Sequence, residues 1–136
     1  MTPAAAVKAR LLSLNAVTTL VVSRIYVELL KQHPTLPAIR VQGITEIEDA
    51  HLRGAMAIRT ARVQVDSIAM SLEEATAVSD AAHGDGAGSG LSGWQGLLGS
   101  PAQEVMAILP AGKRVDYEGD ELRQWRVSRD YFVTMR

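Results

Sequence analysis

Three stretches of this sequence alternate apolar and polar residues, and that period of two restricts the chain more than any other feature. In one, Ala61, Val63 and Val65 alternate with Arg62, Gln64 and Asp66. In another, Ile39, Val41 and Ile47 share one parity and Arg40, Gln42, Glu46 and Glu48 the other, with Ile44 as an exception. The last, "RQWRVSRDYFVTMR", sets Trp125, Val127, Tyr131 and Val133 on one parity, interrupted by Arg129. Successive side chains of a strand point to opposite faces, so each stretch reads as a strand with one dry face and one wet face. That is the pattern of an antiparallel sheet covered on one side.

Helical stretches supply the cover. Thr2 offers a hydroxyl to an orphan amide and Pro3 suits the first helical turn, after which Ala4, Val7, Leu11 and Leu14 recur on one stripe. Asn15 stops that helix and caps a second over "AVTTLVV", where β-branched side chains lower helix propensity. Ser71 with Glu74 forms a capping box before a helix whose buried stripe is Leu72, Ala75, Val78 and Ala82.

"RIYVEL" reads as a short strand, "KQHPTLP" as a break enforced by Pro34 and Pro37, and "DAHLRGAMA" as a connection. The parity slips at Ser67-Ile68-Ala69, marking a bulge or a strand end. "QEVMAILPA" reads as a strand and "GKRVDYEGDEL" as a turn-rich connection. The order ααβββαββ predicts an α+β fold: a mostly antiparallel sheet of four to five strands with helices on one face, as one domain over residues 1–136.

Residues 83–100, "HGDGAGSGLSGWQGLLGS", hold seven of the eleven glycines. A phosphate-binding loop follows a strand, opens a helix and ends in Gly-Lys-Ser/Thr. Here the glycines follow a helix, and no lysine lies between Lys31 and Lys113. The forced G-x-G-x-x-G at Gly88, Gly90 and Gly93 fails the same test of context. The segment over 84–100 therefore reads as a mobile loop, with Trp94 as a latch onto its own domain or a neighbour.

Convergent chemistry is missing elsewhere too. His33, His51 and His83 lie in three separate connections without metal-ligand spacing, although Asp49-x-His51 and His83-x-Asp85 each supply a pair. Ser89 and Ser92 lack the strand-turn-helix setting of a nucleophile elbow. Glu73-Glu74 and Asp120-Glu121 read as a helix start and a solvated turn. Without cysteine, disulfides and thiolate metal sites are excluded, which fits a reducing compartment. Fourteen basic and fifteen acidic residues leave no basic excess of the kind that duplex-binding modules show. The N-terminus lacks the regions of a signal peptide, and runs such as "VTTLVV" fall short of the ~20 apolar residues of a membrane span. The expectation is a soluble intracellular protein used at full length, with no cofactor, metal or membrane partner. Arg129 is the odd residue. On an apolar parity it either snorkels to water from a strand's open end or belongs to an ion pair at a subunit contact.

The order of the segments resembles the tail completion, or tail-to-head joining (tail terminator), proteins of long-tailed bacteriophages. The likeness is carried by the leucine-rich N-terminal helix, by Arg24-Ile25-Tyr26, and by Leu36-Pro37 before a strand. An Arg-x-Gln-x-Asp strand follows at Arg62, Gln64 and Asp66, then an Ala-rich helix. The closing strand matches at Trp125, Arg126, Ser128, Asp130 and Tyr131. The resemblance spans nearly the whole chain, with the length of the glycine-rich segment as its departure.

It implies a non-enzymatic virion component: a homohexameric ring at the head-proximal end of the tail, ending the tube and joining it to the head. The implied partners are other copies of the chain, the tail tube protein and the head connector or stopper protein, with double-stranded DNA only as passing cargo. Trp94, Arg129, Arg62, Gln64 and Asp66 are the candidate assembly residues. Rival readings are a head-side stopper or adaptor of the same neck, a small ligand-binding regulatory domain, and an enzyme with a loop-built site.

Overall fold

The computed structural model of the chain describes residues 1–30, 35–51, 54–99, 101–119 and 123–136, with side chains except at 47–51, 54–57 and 118. His33, Pro34, Ser100, Asp120 and Glu121 lie outside the described residues, as do the side chains of Asp49 and His51. In chain order the elements are α1 (Pro3–Leu12), α2 (Asn15–Val21), β1 (Ile25–Val27), β2 (Ala38–His51), β3 (Gly54–Ala69), α3 (Leu72–His83), β4 (Gly96–Leu98), β5 (Gln103–Glu118) and β6 (Gln124–Met135).

The six strands form one mixed sheet in the order β1-β2-β3-β6-β5-β4. Only β1 and β2 run parallel; the other neighbours are antiparallel. The expected count of four to five strands is therefore corrected to six. The addition is β4, inside the glycine-rich segment, where Gly96, Leu97 and Leu98 pair with Val105, Glu104 and Gln103.

Two other boundaries differ for identifiable reasons. "DAHLRGAMA" is not a connection, because β2 and β3 continue as a hairpin until His51 faces Gly54. "GKRVDYE" is strand: a register shift between Pro110 and Gly112 carries β5 past its proline, and pairing resumes to Glu118 opposite Gln124. At Ser67-Ile68-Ala69 there is no bulge but the strand end: β3 stays in register with β6 to its last residue, Ala69 opposite Trp125. The hydrophobic parity slips there because Val65 through Ala69 are buried on both faces.

Ile44, the exception in the second alternating stretch, sits at a bulge. Gly43 faces Val63 and Thr45 faces Arg62, so Ile44 is the extra residue and is exposed. A one-residue step reverses strand parity. Ile47 consequently lies opposite an even-numbered residue, Thr60, whereas Ile39 and Val41 lie opposite Ser67 and Val65.

Helix starts follow their caps. The Thr2 hydroxyl accepts from the Ala5 amide and the Ser71 hydroxyl from the Glu74 amide. The second helix differs: Leu14 is its N-cap without a side-chain bond, and Asn15 is its first residue. In α3 the buried stripe is Ala75, Val78, Ser79 and Ala82, whereas Leu72 is exposed in the first turn. The core joins Val7 and Leu11 of α1, Val17 and Val21 of α2, and Val78 and Ala82 of α3 to Val41, Val63, Val65, Tyr131 and Val133 of the sheet. All three helices thus pack on the face that alternation marked as dry.

Candidate assembly face

The wet face is organised in rows across four strands. One row runs Arg40, Asp66, Ser128 and Arg114; the next runs Gln42, Gln64, Asp130 and Gly112. Asp66 is fully buried at the centre of the first row. Its Oδ2 accepts from Arg40 Nε at 3.1 Å and Nη2 at 2.8 Å, and its Oδ1 accepts from Gln64 Nε2 and Ser128 Oγ, each at 2.7 Å. Four donors on one carboxylate replace the water it lost, the condition under which a buried charge is tolerable. Arg62 grips Asp130 on the neighbouring strand through Nε, at 3.0 Å, and Nη2. Asp116 accepts from Arg114 at 2.9 Å and Arg126 at 3.3 Å, and Arg114 above all holds this carboxyl below the usual carboxylate range.

The two short motifs singled out in the sequence therefore meet side by side. Arg62, Gln64 and Asp66 on β3 face Phe132, Asp130 and Ser128 on β6. A cleft of about 210 Å³ opens among Arg62, Gln64, Arg114, Ser128 and Asp130. Beside it Leu109 and Phe132 stand opposite each other, and both are exposed. Arg40 is the member that sequence reasoning left unassigned. Its place between Ile39 and Val41 marked a wet-face cation, but only the β2–β3 register shows that it meets Asp66.

Arg129 lies on the other face. Its side chain is only 17% exposed, and it donates from Nε to Ser79 Oγ at 2.8 Å and from Nη2 to Asp80 Oδ1 at 2.9 Å. It does not snorkel from a strand end; it clamps mid-strand β6 to α3. Next to it, His83 Nδ1 lies 2.8 Å from the Tyr131 hydroxyl. Burial pushes the Tyr131 phenol up, so it keeps its proton, and the direction of its hydrogen bond with His83 follows the imidazole tautomer. Burial, and then the Arg129 charge, push the His83 pKa down, which favours the neutral form.

The glycine-rich segment is a folded cap, in contrast to the mobile loop expected. Leu91 is a fully buried plug whose amide donates to Ala82 O at 2.8 Å. Gly84 adopts φ 78° to end α3, and Gly90 packs so close that a Cβ there would lie 2.7 Å from Ala82 O. Arg10 ties the segment to α1: it donates to Gly88 O at 3.0 Å and Gly90 O at 3.3 Å, and its guanidinium lies 4.4 Å from the centre of the Trp94 ring. Trp94 is thus a latch onto its own domain. The glycines serve close backbone packing, a use that glycine density alone does not distinguish from flexibility.

Among the described residues no group of three or more His, Asp or Glu side chains is placed to hold a metal ion, and no single helix is long and apolar enough to cross a membrane. What these faces define is a small α+β subunit with a salt-bridged outer sheet. The chain belongs to the tail completion protein gp17 family, whose model matches residues 5–128. It is accordingly a virion tail component. No curated protein matches the chain. Among solved structures, a chain from the virion of a native gene transfer agent particle shares the fold, with a TM-score of 0.55 and 16% identity. The alignment covers 96% of this chain and 92% of that one.

Proposed function

We propose that the protein is a non-enzymatic subunit of a homohexameric ring at the head-proximal end of a phage tail, where it ends the tail tube and joins it to the head connector or stopper protein. The family match over residues 5–128 carries this reading. The fold supports it. Beyond Arg59, where β6 ends at Met135, β3 pairs with β2 alone, leaving a two-stranded arm that overhangs the sheet. An isolated two-stranded ribbon is marginal in water, so an arm of this kind suits a subunit that is completed by neighbours. The tail tube protein is the second partner, and DNA passes through as cargo; a net charge of −1 suits a channel that must not grip it.

Cryo-electron microscopy of the particle tests the placement. Density for six copies at the junction of tube and neck is expected. Density inside the head vertex would instead assign the protein to the head-side stopper or adaptor position.

A further inference from the structure

Two parts of the sheet are unpartnered within the subunit, and they carry opposite charge. Residues 44–51 of the arm, "ITEIEDAH", include Glu46, Glu48 and Asp49 and neither lysine nor arginine, with Glu46 answered within the subunit by Arg59 at 3.6 Å in a pair open to water. Across the subunit, a cleft of about 260 Å³ lies between α3 and β5, lined by His83, Lys113, Arg129 and Tyr131 among others. Lys113 and Arg129 stand directly opposite each other on β5 and β6, an unfavourable like-charge pair. Arg129 is answered by Asp80, which remains 60% exposed, whereas Lys113 has no ion-pair partner among the described residues. Asp130 also borders the cleft, but its carboxylate is held by Arg62 on the wet face. The cleft is short of negative charge.

Direct strand addition does not account for both edges. Past Val105, β5 pairs only with β6, yet its free edge carries Pro110 and two register shifts. The free edge of β2 has register shifts of its own, and its Gly43 amide is already taken by Glu28 Oε1 at 3.1 Å. Proline and bulges are devices that block edge-to-edge pairing. Side-chain charge is the means of attachment these edges leave open.

We propose that the acidic arm of one copy of this chain docks in the α3–β5 cleft of the next, with carboxylates of residues 44–51 answering Lys113 and Arg129. Such a contact is head-to-tail, the kind that closes a ring, and it rests on the ring reading above. Because the chain contains no cysteine, an introduced pair reports on this contact alone. In assembled tails carrying the full chain, Glu48→Cys with Lys113→Cys is expected to yield a ladder of covalent oligomers on oxidation, and either single variant none.

Charge reversal gives an independent readout. Lys113→Glu should lower the yield of joined particles by about tenfold or more, and adding Glu48→Lys in the same chain should restore it to within about threefold. Melting of each purified variant separates misfolding from lost docking. Rings without a ladder, and without rescue by the swapped pair, overturn the docking while the ring reading stands. Tails that contain no ring of this protein overturn both.

Discussion

Ser128 donates to Asp66 across the β3–β6 pair at 2.7 Å, and that bond joins the two sequence motifs that first suggested a family into one polar centre. Asp66 has its lone pairs engaged by Arg40, Gln64 and Ser128, which makes it a structural keystone of the outer face.

Removing that carboxylate strands Arg40. Asp66→Ala is expected to destabilise the fold by about 3 kcal/mol, the lower end of the cost of breaking a buried pair, because Arg40 retains some access to water. Ser128→Ala should cost about 1.5–3 kcal/mol, as one donor is lost from a buried charged acceptor. Urea titration of both variants and of their double measures the coupling. Additive effects would show that the centre does not act as a unit.

Arg129→Met retains much of the stem and deletes the charge. The pair with Asp80 is half open to solvent, and the Ser79 bond adds a second contact, so a loss of about 1–2 kcal/mol is expected. Asp80→Asn should cost less than about 1 kcal/mol, since that side chain is the exposed partner. An unchanged melting temperature in Arg129→Met would refute the clamp between β6 and α3.

The folded cap over residues 84–99 gives a contrast between two observables. Leu91→Ala removes a fully buried plug and should cost about 2–5 kcal/mol, measured by thermal or urea unfolding. Hydrogen exchange on the intact protein should find the amides of Leu91, Ser92 and Gly93 protected, since they donate to Ala82, His83 and Ile108. Fast exchange at all three would return the segment to the status of a mobile loop.

A pH dependence follows from His83. Its pKa is depressed in the fold, chiefly by burial and then by Arg129. The unfolded imidazole binds a proton below its ordinary value of ~6.5 while the folded one resists, so stability is present above ~6.5 and is lost as pH falls through the folded value. The melting temperature should therefore decline on going from neutral to mildly acidic pH, and His83→Gln should flatten that decline. A wild-type and variant profile of equal slope would assign the decline to other groups.

The parts of the fold legible in sequence are those set by local chemistry. Thr2 and Ser71 announced their helices because a cap is read within four residues. The alternation of Ala61, Val63 and Val65 marked the dry face because a strand repeats every two residues. What stayed hidden depends on distant neighbours. Val65–Ala69 looked irregular only because a second face becomes buried there, and β4 is a strand only because Gln103, Glu104 and Val105 lie beside it. The candidate residues divide the same way. Arg62, Gln64 and Asp66 were visible as one stripe, but the partners Asp130, Arg40 and Ser128 come from strands whose register no single sequence displays.

The extra residue at Ile44 leaves the arm out of phase with the sheet that bears it. Upstream of it, odd-numbered positions of β2 line up with the core-facing positions of β3; downstream, even-numbered ones do, as Glu46 opposite Ala61 shows. Excising Ile44 would shorten the arm by a mere 3.3 Å or so, yet turn it over like a ribbon given half a twist. Every later residue of β2 would then address the opposite side, while β3 stays fixed by its register with β6. Which residues of β2 the arm turns to either side is in this sense written in a single insertion.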